Sequence, residues 1–135
     1  MIVDTVRGDI FESEFDIILF AVNTEGHNDA GFAGQVSGRY WPDLANTGPK
    51  DLGEVLTHRC GGRVYHALVC HSLGIGGWDH TPRAITECLD SLVLPVDSAM
   101  VFAGSGPIGQ MQGADTWAIL GGIARSKHRI VVYTR

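Results

Sequence analysis

The chain has 135 residues, of which 44% are hydrophobic and 19% are charged, and its formal net charge is −5. This length and composition predict one globular domain, residues 1–135, with a core of useful size. The net negative charge and the lack of a basic stripe in the sequence argue against a protein that binds the phosphates of duplex DNA. The sequence contains no apolar stretch near the roughly 20 residues of a membrane span, so no membrane partner is expected.

The cysteines and the first residues predict the cellular compartment. Cys60, Cys70 and Cys88 are odd in number and show no C-x-x-C spacing. This usage is typical of a reduced, cytosolic chain. The first residues lack a charged segment followed by an apolar one, so no signal peptide is predicted. We therefore expect a cytoplasmic protein.

Apolar runs and alternating patterns predict the strands. Gly61-Gly62 marks a hairpin turn between two of them, while segments 43–53 and 73–80 are polar or glycine-bearing and are predicted loops. The six predicted strands are residues 2–6, 16–22, 54–60, 63–71, 99–103 and 130–133.

Three segments carry helical signals. The first helix is predicted from Gly31 to Trp41, because Pro42 disfavours helix at the residue before it. The second is predicted to begin with Thr81 as its cap and Pro82 at the first helical position. The third covers residues 115–125. Strands that alternate with helices predict an α/β domain layered around a central sheet.

Two glycine-rich loops follow two apolar strands, and each leads into a helix. The first contains Gly26, Gly31 and Gly34, and the second is residues 104–113. The first N–H groups of a helix lack intrahelical acceptors, and the helix dipole favours an anion there. The matched pair predicts a cleft in which backbone N–H groups hold a diphosphate from two sides.

The second loop spells G-x-G-x-x-G from Gly104 to Gly109, but two nucleotide-binding motifs are not supported. A dinucleotide fingerprint comes early in a chain and has an acidic residue about 20 positions later. Here the pattern lies near the end of the sequence, and the corresponding region is Lys127-His128-Arg129. A phosphate-binding loop with lysine and a hydroxyl residue is also absent from the sequence.

Five segments carry a family resemblance. They are Arg7-Gly8-Asp9-Ile10-Phe11, Ala21-Val22-Asn23, Asp29-Ala30-Gly31-Phe32-Ala33, Gly104-Ser105-Gly106 and Val131-Val132-Tyr133-Thr134. Together they resemble the macrodomain family of ADP-ribose binders across essentially the whole chain. The loop that begins Val22-Asn23-Thr24-Glu25-Gly26 is most similar to the branch of terminal ADP-ribose glycohydrolases and of antitoxins that remove ADP-ribose from DNA bases. The resemblance implies a three-layer α/β/α fold with a central mixed sheet.

The resemblance also implies binding roles. Asp9 would accept a hydrogen bond from the adenine amino group, Ile10 would offer its backbone beside the base, and Asn23 would bind the distal ribose. Phe32 and Tyr133 are candidates to line the ribose and adenine pockets. Backbone groups would hold the phosphates, and the segments that supply them are Gly31-Phe32-Ala33 and Ser105-Gly106-Pro107-Ile108-Gly109.

Catalysis follows the family pattern less closely. The branch uses a lysine at the end of the strand equivalent to residues 63–71, and that position falls on His71 or Ser72. The lysines of this chain are Lys50 and Lys127. Since histidine lacks the primary amine of a Schiff base, the predicted catalytic set is Asn23, Asp29 and His71. A histidine of near-neutral pKa would act as general acid or base, and Asp29 would position water.

Alternatives remain open for these residues and for the function. Asp9 and Asn23 are also typical turn or cap residues, and His27, His71, Asp79 and His80 are also ordinary loop or strand-end residues. The favoured interpretation is an enzyme that hydrolyses ADP-ribose from a protein or nucleic-acid base. A binding module without turnover, an ADP-ribose-1''-phosphate phosphatase and a scaffold are the alternatives.

The implied partner is ADP-ribose or an ADP-ribosylated macromolecule. We expect no cofactor. His27, Cys70 and His71 have no recognised zinc spacing, so no metal site is predicted. The oligomeric state is left open.

Overall fold

The computed structural model describes residues 1–74, 76, 79–101 and 114–134. The described residues form six strands and three α-helices, close to the predicted positions. The elements are β1 (Ile2–Arg7), β2 (Ile17–Asn23), α1 (Gly31–Arg39), β3 (Val55–Cys60), β4 (Arg63–His71), α2 (Thr81–Asp90), β5 (Ser98–Val101), α3 (Ala114–Ala124) and β6 (Ile130–Thr134).

The strands form one mixed sheet in the order β1-β6-β5-β2-β4-β3. The β1–β6, β5–β6, β2–β5 and β2–β4 pairs are parallel, whereas β3 and β4 form the predicted antiparallel hairpin. Five parallel strands therefore bring their carboxyl ends to the same edge of the sheet. This edge, which we call the carboxyl edge, is where open α/β sheets bind ligands.

Each face of the sheet is covered by helices. On one face, α1 packs over Phe20, Val22 and Val69. On the other face, α2 and α3 pack over Leu19 and Leu68. Alternate residues of β2 thus enter opposite cores, as a strand buried on both faces requires. The predicted three-layer α/β/α arrangement with a central mixed sheet is confirmed.

Two local predictions were wrong. Thr81 is the first residue of α2 rather than its cap, and His80 occupies the cap position without a side-chain capping bond. Residues Pro42–Ala45 form a short 3-10 helix that overlaps the start of the segment predicted to be loop. Proline at the start of that helix is favourable because its fixed φ suits the first turn and its missing N–H is not needed there.

The other boundaries agree with the predictions within about two residues, and part of the strand predicted at 99–103 lies outside the described residues. None of the helices that the structure describes is long and apolar enough to cross a membrane.

Candidate functional site

The carboxyl edge brings the predicted site residues into one row. Asp9 follows β1, Tyr133 lies near the end of β6, Asn23 ends β2 and His71 ends β4. In the sheet register, Asn23 lies opposite His71. The predicted phosphate loop Gly104–Gly109 follows β5 in the chain and lies outside the described residues.

A cavity of about 220 Å³ opens at the ends of β2 and β4. It brings together five predicted residues from β2, from the turn after it, from α1 and from β4. Sequence reasoning did not predict a role for Asn28, Ala30 or Leu73. The lining residues are Ala21, Val22, Asn23, His27, Asn28, Asp29, Ala30, Ala33, His71 and Leu73.

The amide of Asn23 holds the turn that forms one wall of the cavity. Its Nδ2 donates to the carbonyl of His27 at 2.7 Å, and its Oδ1 accepts from the N–H of His27 at 3.2 Å. Asn28 is buried and donates from Nδ2 to the carbonyl of Leu44 at 3.1 Å. These bonds fix the turn, and the turn-forming alternative for Asn23 is therefore observed.

The amino end of α1 faces this cavity. Ala30 is the cap residue, has an extended backbone and supplies no side-chain capping bond. Gly31 has φ +61°, a conformation that favours glycine. Ala30 and Ala33 both line the cavity. The start of α1 therefore borders the cavity without a capping side chain, and an uncapped helix start favours an anionic ligand.

The ring of Phe32 enters the core. It stacks on Phe11 with ring centroids 5.0 Å apart and lies 5.6 Å from Phe20. Phe32 is 8% exposed and does not line the cavity. Its ring is therefore packed among other aromatic side chains, and its place in a ribose pocket stays a prediction.

His71 is buried at the end of β4. Burial lowers the pKa of His71 from 6.5 to about 4, while the charge of Glu25 acts in the opposite direction. The imidazole is consequently neutral at pH 7. The expectation of a near-neutral pKa was wrong because sequence patterns do not reveal how completely a strand end is enclosed.

Glu25 joins the loops that follow β2 and β4. Its Oε2 accepts from the hydroxyl of Ser72 at 3.0 Å, and its Oε1 accepts from the N–H of Leu73 at 3.0 Å. Burial acts to raise the pKa of Glu25, but the hydrogen bonds from Leu73, Ser72 and Thr24 together shift the pKa downward. The ionised carboxylate is a structural clamp that sequence reasoning missed, because an acidic residue in a glycine-bearing turn has no distinctive spacing.

At the β1 end of the row, Asp9 caps a short 3-10 helix, Ile10–Glu12. Its Oδ1 accepts from the N–H of Phe11 at 2.9 Å, so the predicted cap role is present. Ile10 is buried. Gly8 donates to the carbonyl of Thr134 at 2.9 Å, which keeps this loop beside the end of β6.

The remaining candidates divide by exposure. His27 and Asp29 are exposed on the rim of the cavity, whereas Asp79 and His80 are exposed and do not line it.

The backbone N–H of Lys50 donates to the carbonyl of Thr24 at 2.8 Å, which brings the segment before β3 against the turn after β2. Within the described parts of the chain, no cluster of three or more histidine, cysteine or acidic side chains could hold a metal ion.

The sequence matches no protein-family model and no curated protein. Its structure is similar to several solved macrodomains. A macrodomain protein from Streptomyces coelicolor aligns with a TM-score of 0.67 and 19% identity, over 100% of this chain and 99% of that one. The DarG macrodomain of Mycobacterium tuberculosis aligns with a TM-score of 0.64 and 16% identity, over 98% and 97%.

The chain has the macrodomain fold. Thermosipho africanus DarTG, solved in complex with ADP-ribose, also aligns with this chain, with a TM-score of 0.61 and 14% identity, over 98% of this chain and 42% of that one. The full coverage of this chain agrees with the resemblance that the five sequence segments carry.

Proposed function

We propose that this macrodomain binds ADP-ribose or an ADP-ribosylated macromolecule at its carboxyl edge. The observation that carries the proposal is the cavity at the ends of β2 and β4, which the uncapped start of α1 borders. A helix start of this kind favours a phosphate. The ADP-ribose present in the structurally similar DarTG supports the choice of ligand.

The order of the strands suggests how the ligand lies. Asp9 and Ile10, at the β1 end of the row, would receive the adenine. The first turn of α1 and the loop Gly104–Gly109 would hold the diphosphate. The cavity beside Asn23 and His71 would then receive the distal ribose. An elongated ligand such as ADP-ribose fits this row because the proposed binding groups follow one another along a single edge.

We further propose that the site hydrolyses the bond between the distal ribose and its acceptor. Asp29 is the best candidate to orient or deprotonate the attacking water, because it is exposed on the rim of the cavity. The water oxygen would bond to the anomeric carbon of the ribose as the bond from that carbon to the acceptor breaks. The acceptor would leave with the bonding electron pair, and the proton that the water gives to Asp29 would return to the acceptor. His71, neutral and buried, would position the ribose by hydrogen bonding.

A binding module without turnover is the second candidate. The amide of Asn23 is engaged by the backbone of His27, and a histidine with a pKa of about 4 is a weak base. Neither group is therefore arranged to transfer a proton at pH 7. This arrangement favours recognition alone if Asp29 does not act on water.

Calorimetry with ADP-ribose tests the binding site. Ala30 is exposed, lines the cavity and precedes α1, so Ala30→Glu places a negative charge where the diphosphate is proposed. We expect at least about tenfold weaker binding, since the added carboxylate and the diphosphate carry like charges and repel each other. Gln35→Glu adds the same charge to α1 without lining the cavity and should bind within about twofold of the original chain. Equal affinity of the two folded variants would contradict this location.

Turnover is tested separately. The protein is incubated with an ADP-ribosylated protein, an ADP-ribosylated oligonucleotide and ADP-ribose-1''-phosphate, and released product is measured. Release of ADP-ribose, lost in Asp29→Asn with binding retained, supports hydrolysis. Binding of ADP-ribose without release of any product supports the binding module without turnover. Gly106→Glu tests the predicted second phosphate loop, and unchanged affinity in that folded variant would remove the loop from the site.

A further inference from the structure

A second cavity, of about 440 Å³, lies at the opposite edge of the sheet. It opens where β4 begins at Arg63, whereas the candidate site lies where β4 ends at His71. The nine residues of β4 separate the two cavities by roughly 25 Å at about 3.3 Å per residue. We call it the hairpin cavity because the turn Gly61-Gly62 forms part of its wall.

Aromatic side chains form one part of the hairpin cavity. Phe15, Tyr40 and Tyr65 all line it. The rings of Tyr40 and Tyr65 are stacked with centroids 5.4 Å apart and an interplanar angle of 15°. Phe15 is half-buried and meets Tyr133 edge to face. Because Tyr65 is 1% exposed, the accessible aromatic surface of the cavity comes from half-buried Phe15 and Tyr40, and neighbouring rings hold both in place.

The guanidinium group of Arg63 donates its hydrogen bonds to backbone carbonyls. Its Nε donates to the carbonyl of Phe15 at 3.0 Å, its Nη1 to Phe11 at 3.1 Å and its Nη2 to Ser13 at 2.6 Å. These bonds hold the segment before β2 around the guanidinium. Arg63 therefore builds the wall of the cavity, and its charge is partly balanced by three carbonyl dipoles.

Two carboxylates stand at the mouth of the same cavity. Glu14 and Asp16 are exposed and line it. In the described part of the chain, ion pairs join Arg83 to Glu87 and Arg129 to Asp97, and neither carboxylate of the cavity takes part in one. The mouth therefore has negative charge that is available to a cation.

We infer that the hairpin cavity binds a lysine or arginine side chain of a partner polypeptide. These side chains combine an apolar stem with a cationic head. The stem suits the aromatic surface, cations are attracted to aromatic faces, and the head meets the carboxylates of Glu14 and Asp16. A side chain with an apolar stem and a cationic head therefore matches the aromatic and acidic walls of the cavity.

The neighbouring edge strand favours a polypeptide as the source of that side chain. Among the strands of the described residues, β3 pairs with β4 alone and lies at one end of the sheet. Cys60, the last residue of β3, lines the cavity. An extended peptide can run along such an edge while one of its side chains enters an adjacent pocket. The inference does not depend on ADP-ribose binding.

The test uses three blocked pentapeptides with glycine at every position except the centre. The centre is lysine, norleucine or glutamate, so the second peptide keeps the apolar stem and loses the charge. Each peptide is titrated into the full chain while backbone amide shifts are recorded by NMR. We expect the lysine peptide to shift the amides of Gly61 and Gly62, with at least about fivefold tighter binding than the norleucine peptide.

A matched pair of double variants locates the charge. Glu14→Gln with Asp16→Asn removes the two carboxylates of the cavity and should weaken lysine-peptide binding at least about fivefold. Asp43→Asn with Asp51→Asn removes two exposed carboxylates elsewhere and should leave the affinity unchanged. Phe15→Leu keeps an apolar side chain without the aromatic face and should also weaken binding.

Three results would overturn the inference. They are equal affinity for the lysine and norleucine peptides, equal loss in both double variants, and shifts that leave the hairpin untouched at millimolar peptide. Repeating the titration with ADP-ribose present separates the two sites, since the proposed lysine contact should persist whether or not ADP-ribose binds.

Discussion

The carboxylate of Glu25 accepts a hydrogen bond of 3.0 Å from the backbone N–H of Leu73. This bond joins the loop after β2 to the loop after β4, so one side chain links the segments that lead from both strands. The clamp brings a negative charge close to a cleft proposed to hold an anion. Its position therefore matters for both stability and affinity.

Replacing Glu25 with glutamine tests the clamp. We expect the free energy of unfolding at pH 7 to fall by about 1 kcal/mol, because a neutral amide accepts hydrogen bonds less strongly than a carboxylate. The folded-state pKa of Glu25 lies below its ordinary 4.5, so its contribution is present above that pH and is lost as pH falls further. Urea denaturation measures the change. Glu54→Gln, at an exposed position, should leave the stability within about 0.5 kcal/mol.

His71 should make stability depend on pH. Its pKa is lowered from 6.5 to about 4 on folding, so the unfolded chain binds more protons between these values and stability rises with pH across this window. The contribution between pH 7 and pH 5 is about 2 kcal/mol. Denaturation at both pH values should show this difference for the original chain and a smaller one for His71→Gln. Exposed His80 is the control, and an equal reduction in His80→Gln would contradict the assignment.

Gly26 should tolerate no side chain. It has φ +78°, and a Cβ there would lie 2.1 Å from the carbonyl oxygen of Gly48. We expect Gly26→Ala to reduce the free energy of unfolding by about 3 kcal/mol or more, since backbone strain and a backbone clash add. Gly48 has φ +74° with open space around its Cβ position, and Gly48→Ala should cost about 1 kcal/mol. Equal effects in denaturation experiments would show that the close approach is unimportant.

Two glycines of α1 make a second matched pair. A Cβ at Gly34 would lie 2.7 Å from the carbonyl oxygen of Asp29, whereas a Cβ at Gly38 would meet nothing within 4 Å. Gly38→Ala should stabilise the protein by about 0.5–1 kcal/mol through helix propensity. Gly34→Ala should push α1 away from Asp29, lower the melting temperature and weaken ADP-ribose binding in calorimetry. Stabilisation by both substitutions would contradict the tight contact.

Local patterns predicted most of the fold. The apolar runs of Ile17–Asn23 and Arg63–His71 are strands because both faces of each are buried. The order of the strands could not be derived in the same way. Ile2 pairs with Ile130, and the local hydrophobic pattern does not predict which distant strands pair. The family resemblance supplied the three-layer fold that periodicity alone does not specify.

The site was predicted in position more than in detail. Asn23 and His71 do lie opposite each other, because each ends a neighbouring parallel strand. The hydrogen bonds of Asn23 and the low pKa of His71 depend on how the turn folds and how closely the cavity packs. The role of Glu25 depends in the same way on a loop that is distant along the chain. These properties arise from tertiary packing, which residue spacing does not encode.

The pairing of β1 with β6 has a consequence for biogenesis. β1 is translated first among these strands but cannot complete its ladder until Ile130–Thr134 has left the ribosome. Until then its edge and the unfinished central strands are exposed to aggregation and to chaperones. Such non-local pairing also predicts slow folding, because the chain must lose the entropy of closing a long loop before the stabilising contacts between the strands form. Synthesis must therefore have passed β6 before the carboxyl edge exists at its full width.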